Sequence, residues 1–216
     1  MTDHSMLFSA PMVRALLAGS KTQTRRMLRN PESYGCPTGD CPHDKQAECN
    51  AAMQENALPD VRVAVGDRLW VREAWRTAKV ADELKPNQLC GGEYTPVWYE
   101  VDRDNCDAHG RYRHARHMPK WASRLTLLVT DVRIERLQDI SEADAIAEGI
   151  GRDLIPDGLI PGGNTGFGFP GYSGFATAKS AYAALWDSIN GPGAWDANPW
   201  VVAISFEVKR GNINVL

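Results

Sequence analysis

The stretch 18-AGSKTQTRRM-27 decides how the chain is read. It packs one lysine, two threonines and two adjacent arginines directly behind a helix stop. Upstream, 11-PMVRALLAG-19 has Pro11 at a first helical position and Gly19 at a C-terminal stop. Met12, Val13, Leu16 and Leu17 recur at helical spacing and define one apolar face. The cations and hydroxyls of residues 20–26 therefore leave a helix end together. That place can be a solvated turn whose threonines cap backbone groups, or the wall of a ligand pocket.

Working outward, 66-GDRLWVREAW-75 opens on a Gly-Asp turn signal and continues with strand-like alternation at Leu69 and Val71. Residues 96–101, PVWYEV, form a further strand candidate. Residues 122–137 read as a long, bent strand, with Leu125, Leu127 and Val129 alternating and Val132, Ile134 and Leu137 continuing it. In 140-ISEADAIAEGI-150, Ser141 is an N-cap, Asp144 stands at the third helical position of a capping box, and Gly149 ends the helix. A last helix covers about 177–189. It places Ala181, Tyr182, Leu185, Trp186 and Ile189 on one face. A terminal strand, 200-WVVAISFEVKR-210, follows. Mixed strands with short helices predict an α+β fold, a small β-barrel flanked by short helices, in a single domain over 1–216.

Two segments break this pattern. Residues 30–60 carry three cysteines among Pro, Gly and Asn with little periodicity, and read as a Cys-rich insertion. Residues 151–175 hold eight glycines and three prolines and read as a Gly/Pro-rich loop, either a lid over a site or a mobile segment.

The chain has 216 residues, 43% of them hydrophobic, and a net charge of −3. It can bury a core, and its weakly acidic balance argues against a general DNA-coating protein. The N-terminal stretch MTDHSMLFSAP has no basic region followed by an apolar run, and no segment approaches the roughly 18 apolar residues of a membrane span. The expected location is the cytoplasm, with no membrane partner. There Cys36, Cys41, Cys49, Cys90 and Cys106 would stay reduced.

The order GSKTQTRR, GDRLWVRE, ISEADAIAEGI and a final strand ending in FEVKR resembles the ASCH family. The run HMPKWASRLTLLVTDVRIERLQDISEADAIAEGI, together with WDANPW, resembles its phage and prophage branch. The G-x-K-T-x-T-x-R core is Gly19, Lys21, Thr22, Thr24 and Arg26. The resemblance covers most of the chain outside the two segments above and implies a PUA-like β-barrel. Some members similar at this core hydrolyse N4-acetylcytidine; others are ribonucleases or RNA-binding modules. The resemblance to the amidohydrolases implies catalytic roles for Lys21, Thr24 and Glu148, with no cofactor required for catalysis. The implied partner is a modified nucleoside or RNA.

The chemistry of such a set is coherent. A threonine hydroxyl needs a base, and a desolvated lysine beside the cations Arg25 and Arg26 can be neutral enough to serve. Glu148 ends its helix, where partial negative charge favours the protonated carboxyl of a general acid. In a regular strand, however, Lys21 and Thr24 point to opposite faces, so the catalytic reading requires a turn between them. Arg25, Arg26, Trp75 and Arg124 are candidate substrate-binding residues. Trp70, Trp75, Trp98 and Trp200 read as core, with Trp75 and Trp200 also candidates for a pocket wall.

Two further clusters stand out. In 109-HGRYRHARHMPKWASR-124, Arg111, Arg113, Arg116 and Lys120 mix with Tyr112 and Trp121, the combination that contacts phosphates and stacks on bases. The alternative is a solvated basic loop. Cys36, Cys41, His43 and Cys49, spaced C-x4-C-x-H-x5-C, are candidate ligands of a structural zinc that would staple the insertion; the alternative is free cysteines in a loop.

Overall fold

The computed structural model describes residues 1–34, 46–89, 95–102, 108–153 and 166–215. They form a mixed α+β fold with four α-helices and a five-stranded sheet of order β1-β3-β6-β10-β2. Its strands are β1 (Asp3–Leu7), β2 (Gln23–Met27), β3 (Arg68–Arg72), β6 (Leu125–Arg136) and β10 (Trp200–Arg210). The sheet is open, with β1 and β2 at its edges, and no closed barrel forms among the described residues.

The residues divide into two compact units. One comprises Met1–Gly19, Gly66–Val129 and Phe206–Leu216; the other comprises Ser20–Val65 and Thr130–Ser205. Strands β6 and β10 contribute residues to both.

In the first unit, β1 pairs in parallel with β3, and β3 runs antiparallel to β6 through Leu69↔Leu127. Leu69 and Val71 are buried while their neighbours are half-exposed, the alternation expected of a strand with one covered face. Helix α1 (Ala10–Leu17) buries Val13 and Leu16, and Gly19 follows it at φ +75°, a left-handed conformation that glycine adopts without steric cost. The strand expected over 96–101 shortens to β5 (Trp98–Tyr99), paired with β4 (Trp75–Arg76). A small core forms around Trp75, Leu89, Met118 and Ala122.

In the second unit, β10 runs antiparallel to β2 with Ile204 opposite Thr24 and Ala203 opposite Arg25. Helix α3 (Glu142–Ala147) starts at Ser141, whose Oγ accepts from the Asp144 N–H at 3.0 Å, and stops before Gly149 at φ +103°. Helix α4 (Ala178–Asn190) opens with a capping box between Thr177 and Ser180. Its apolar face buries Ala181, Tyr182 and Trp186 against Leu137, Ile140 and Val201. Complete burial of a large apolar side chain is worth about 1.5–3 kcal/mol, so this cluster anchors both helices.

The two irregular segments contain more order than their composition predicts. Within 30–60 the described residues include α2 (Gln46–Ala57), whose Gln54 side chain accepts from the Ile134 N–H at 2.7 Å. Within 151–175 they form a three-stranded sheet of β7 (Gly151–Asp153), β8 (Gly166–Phe169) and β9 (Tyr172–Phe175). Gly166 belongs to its strand for a steric reason. A Cβ on Gly166 would lie 3.0 Å from Cα of Gly174, which itself sits at φ +89°. Backbones this close exclude side chains.

Candidate functional site

The second unit gathers the acid–base residues around the start of β2. Two contacts dock the segment before that strand onto the end of α3. The Thr22 N–H donates to the Ala147 carbonyl at 2.8 Å, and Lys21 Nζ donates to the Glu148 carbonyl at 2.8 Å. A helix end leaves carbonyls without intrahelical partners, and a cation there satisfies them while opposing the helix dipole. The same ammonium donates to Glu148 Oε2 at 2.7 Å. Lys21 is 1% exposed and Glu148 6%, so this is an ion pair removed from solvent.

The second carboxylate oxygen of Glu148 has other partners. Oε1 accepts from Arg25 Nη1 at 3.3 Å and from the Tyr182 hydroxyl at 3.4 Å. The Arg25 guanidinium is itself held on every side. Nε and Nη2 donate to Glu135 Oε1 at 2.9 and 2.7 Å, Nη1 donates to Gln23 Oε1 at 2.5 Å, and Asp144 Oδ2 lies 3.5 Å from Nη2. The Gln23 amide nitrogen then donates to Asp144 Oδ1 and Ser205 Oγ, both at 3.0 Å. Arg133 completes the network at Asp144 and Glu135.

These surroundings set the proton affinities. Burial pulls Lys21 below the ordinary lysine value. The Glu148 carboxylate opposes that shift, while Arg26 and then Arg25 add to it. Burial, reinforced by the Glu148 charge, raises the Tyr182 phenol well above its ordinary value. Burial lowers Arg26, against the Glu148 charge, so Arg26 lies within electrostatic reach of the same carboxylate.

Of the expected catalytic set, the fold joins Lys21 to Glu148. Thr24 is 1% exposed in β2 and alternates with Gln23 and Arg25. Among the described residues no hydrogen bond links its hydroxyl to Lys21 or Glu148. Arg25, expected to hold substrate, instead directs its donors to protein carboxylates and the Gln23 amide, with no exposed side-chain surface. Asp144, expected in a capping box, receives the backbone cap but turns its carboxylate to Gln23 and Arg25. Reading by motif missed Gln23, Glu135 and Tyr182. The period-2 spacing of Gln23 and Arg25 was the available signal for the first. Tyr182 was visible only as one member of an apolar helix face.

The other candidates lie in the first unit. Trp75 is fully buried, its ring edge-on to Trp121 at 6.2 Å. Arg124 donates to both oxygens of the buried Glu73 at 2.9 and 3.0 Å, reaches Asp102, and stacks 3.8 Å over the Tyr99 ring. Burial pushes the Tyr99 phenol up to about 12, against the Arg124 charge and together with those of Glu73 and Asp102. Within 109–124, Arg113 is buried and donates to the Ala81 and Leu84 carbonyls, while Lys120 pairs with Asp3 at 2.7 Å. Arg111 and Arg116 are exposed.

Cys36, Cys41 and His43 lie outside the described residues. Cys49, on α2, is disulfide-bonded. A sulfur in a disulfide has no thiolate to offer zinc, and the other three expected ligands fall outside the described residues. Among the described residues no group of His, Cys, Asp and Glu could hold a metal ion, and no helix is long and apolar enough to cross a membrane.

Compared with protein-family models, with curated proteins and with solved structures, the chain matches none of them.

Proposed function

We propose that the chain is an ASCH-type amidohydrolase, built on a PUA-like architecture, that removes the acyl group from N4 of a modified cytidine, free or within RNA. The observation that carries this reading is the buried Lys21–Glu148 pair, 2.7 Å apart. A lysine lowered by burial gives up its proton more readily than an exposed one, and a carboxyl group hydrogen-bonded to it can exchange that proton.

Thr24 Oγ attacks the acyl carbon while Lys21 takes the hydroxyl proton. The C–N4 bond then breaks, and the proton returns through Glu148 to N4, releasing cytidine. Water, deprotonated by the same pair, hydrolyses the Thr24 ester to the free acid and restores the hydroxyl. Arg26, on the Thr24 side of β2, holds a base or phosphate oxygen. Catalytic hydrogen bonds often tighten only with substrate bound, and the Thr24–Lys21 contact is of that kind in this proposal.

The test is a set of variants assayed on N4-acetylcytidine. Thr24→Ser keeps turnover, Thr24→Val loses it, and Glu148→Gln keeps nucleoside binding without turnover. Nucleoside binding with no release of acid by the unmutated chain replaces this reading with a modified-base or RNA-binding module. Cleavage of an RNA strand in the same assay replaces it with a ribonuclease.

A further inference from the structure

Several features of the second unit lie outside the three catalytic roles, and the most constrained is Arg25. Its guanidinium has no exposed surface, yet it is not simply a core cation. It connects the carboxylate proposed to move protons to a scaffold of three side chains. Glu135 accepts two of its N–H groups, the Gln23 amide accepts a third, and Asp144 holds Gln23 from behind. A planar guanidinium gripped at several points is fixed in orientation, which a lysine ammonium would not be. Through Nη1 that plane meets Glu148 Oε1, whereas Lys21 meets Oε2.

We infer that Arg25 is a positioning residue, anchored by Glu135 and Gln23, that holds one oxygen of Glu148 so that the other stays directed at Lys21. The inference rests on the amidohydrolase reading for its kinetic consequence but on geometry for its structural one. With Arg25 in place, the Glu148 carboxylate cannot rotate to offer both oxygens to the ammonium, so its proton-exchanging face is fixed before substrate arrives. The charged groups facing this centre are Glu148, Arg25 and Arg26 around Lys21, and Tyr182 beside Glu148. Glu135, Asp144 and Arg133 lie behind Arg25.

Arg25→Gln tests it. Glu148 retains Lys21 and Glu135 retains Arg133, so neither carboxylate loses its last cation. The kcat for N4-acetylcytidine falls by about 10²-fold, the loss typical of a misplaced catalytic group, while KM changes little. The ascending limb of the pH–kcat profile moves to higher pH, because a cation that disfavours protonated Lys21 has gone and, among the described residues, Lys21 is the one cation still hydrogen-bonded to Glu148. Arg25→Lys recovers part of kcat, and Glu135→Gln, which loosens the Arg25 anchor, lowers kcat by less than Arg25→Gln does.

Nitrogen NMR of the Lys21 ammonium provides a readout independent of turnover: its titration midpoint also moves to higher pH in Arg25→Gln. If the unmutated chain hydrolyses nothing, the amidohydrolase reading fails and the NMR shift alone judges the clamp. A raised KM with unchanged kcat would make Arg25 a substrate contact and overturn the inference. So would an unmoved Lys21 titration in a folded variant. If Arg25→Gln does not fold, Glu135→Gln takes its place, and an unchanged kcat there overturns the inference equally.

Discussion

Replacing Glu148 by Gln keeps the side-chain outline and one acceptor oxygen but removes the charge opposite Lys21. The ammonium lies 2.7 Å from Oε2 and 2.8 Å from the Glu148 carbonyl, in a place only 1% exposed. Removing one partner of a buried pair costs about 3–5 kcal/mol, because the other charge is stranded. The backbone carbonyl and the new amide oxygen still accept from Lys21, and Arg25 keeps Glu135, so the loss belongs at the lower end, about 3 kcal/mol at neutral pH. Adding Lys21→Met removes the stranded ammonium and recovers about 2 kcal/mol. The pH dependence has a definite sign. Burial already holds Lys21 below its unfolded value, and losing Glu148 lowers it further. A lysine depressed in the folded state penalises folding while protonated, and that penalty is relieved as pH rises from the folded value toward the unfolded value of about 10.4. The deficit of Glu148→Gln relative to the double variant therefore shrinks between neutrality and about pH 9.5. Urea unfolding followed by circular dichroism measures all three proteins at both pH values. A Glu148→Gln protein within about 0.5 kcal/mol of the unmutated chain, or a deficit that Lys21→Met does not relieve, refutes the reasoning.

Other outcomes follow from the same structure. Arg124→Ala strands the buried Glu73 and lowers stability by about 3 kcal/mol, and adding Glu73→Gln recovers most of it, both read from urea midpoints. Gly166→Ala forces a Cβ to 3.0 Å from Gly174 and costs about 1–3 kcal/mol by thermal unfolding, whereas a flexible loop would tolerate it. In chain denatured without reductant, Cys49 resists alkylation and reacts after reduction; one bound zinc with every cysteine alkylated would restore the zinc reading.

The long elements were legible because their signals are local. Pro11 and Gly19 bound α1, Ser141 and Gly149 bound α3, and the apolar runs mark β6 and β10. The strands β7–β9 were not legible, because glycine normally marks a break, and only the approach of Gly166 to Gly174 explains its use inside a sheet. Lys21 and Glu148 were legible through resemblance, since 127 residues separate them and no periodicity joins them. The surroundings that decide their chemistry were not. Glu135 carries no motif signal, and Arg25 read as a substrate-binding cation. Their pairing depends on the β2–β10 register and the docking of α3, which are tertiary facts.

In the proposed reaction the Lys21–Glu148 pair moves the protons of acyl transfer to Thr24. Its most direct test is chromatography of N4-acetylcytidine incubated with the unmutated chain and with Lys21→Ala. Equimolar cytidine and acetate are expected from the first and none from the second, with both proteins folded. No release from the unmutated chain, or equal release from both, contradicts it.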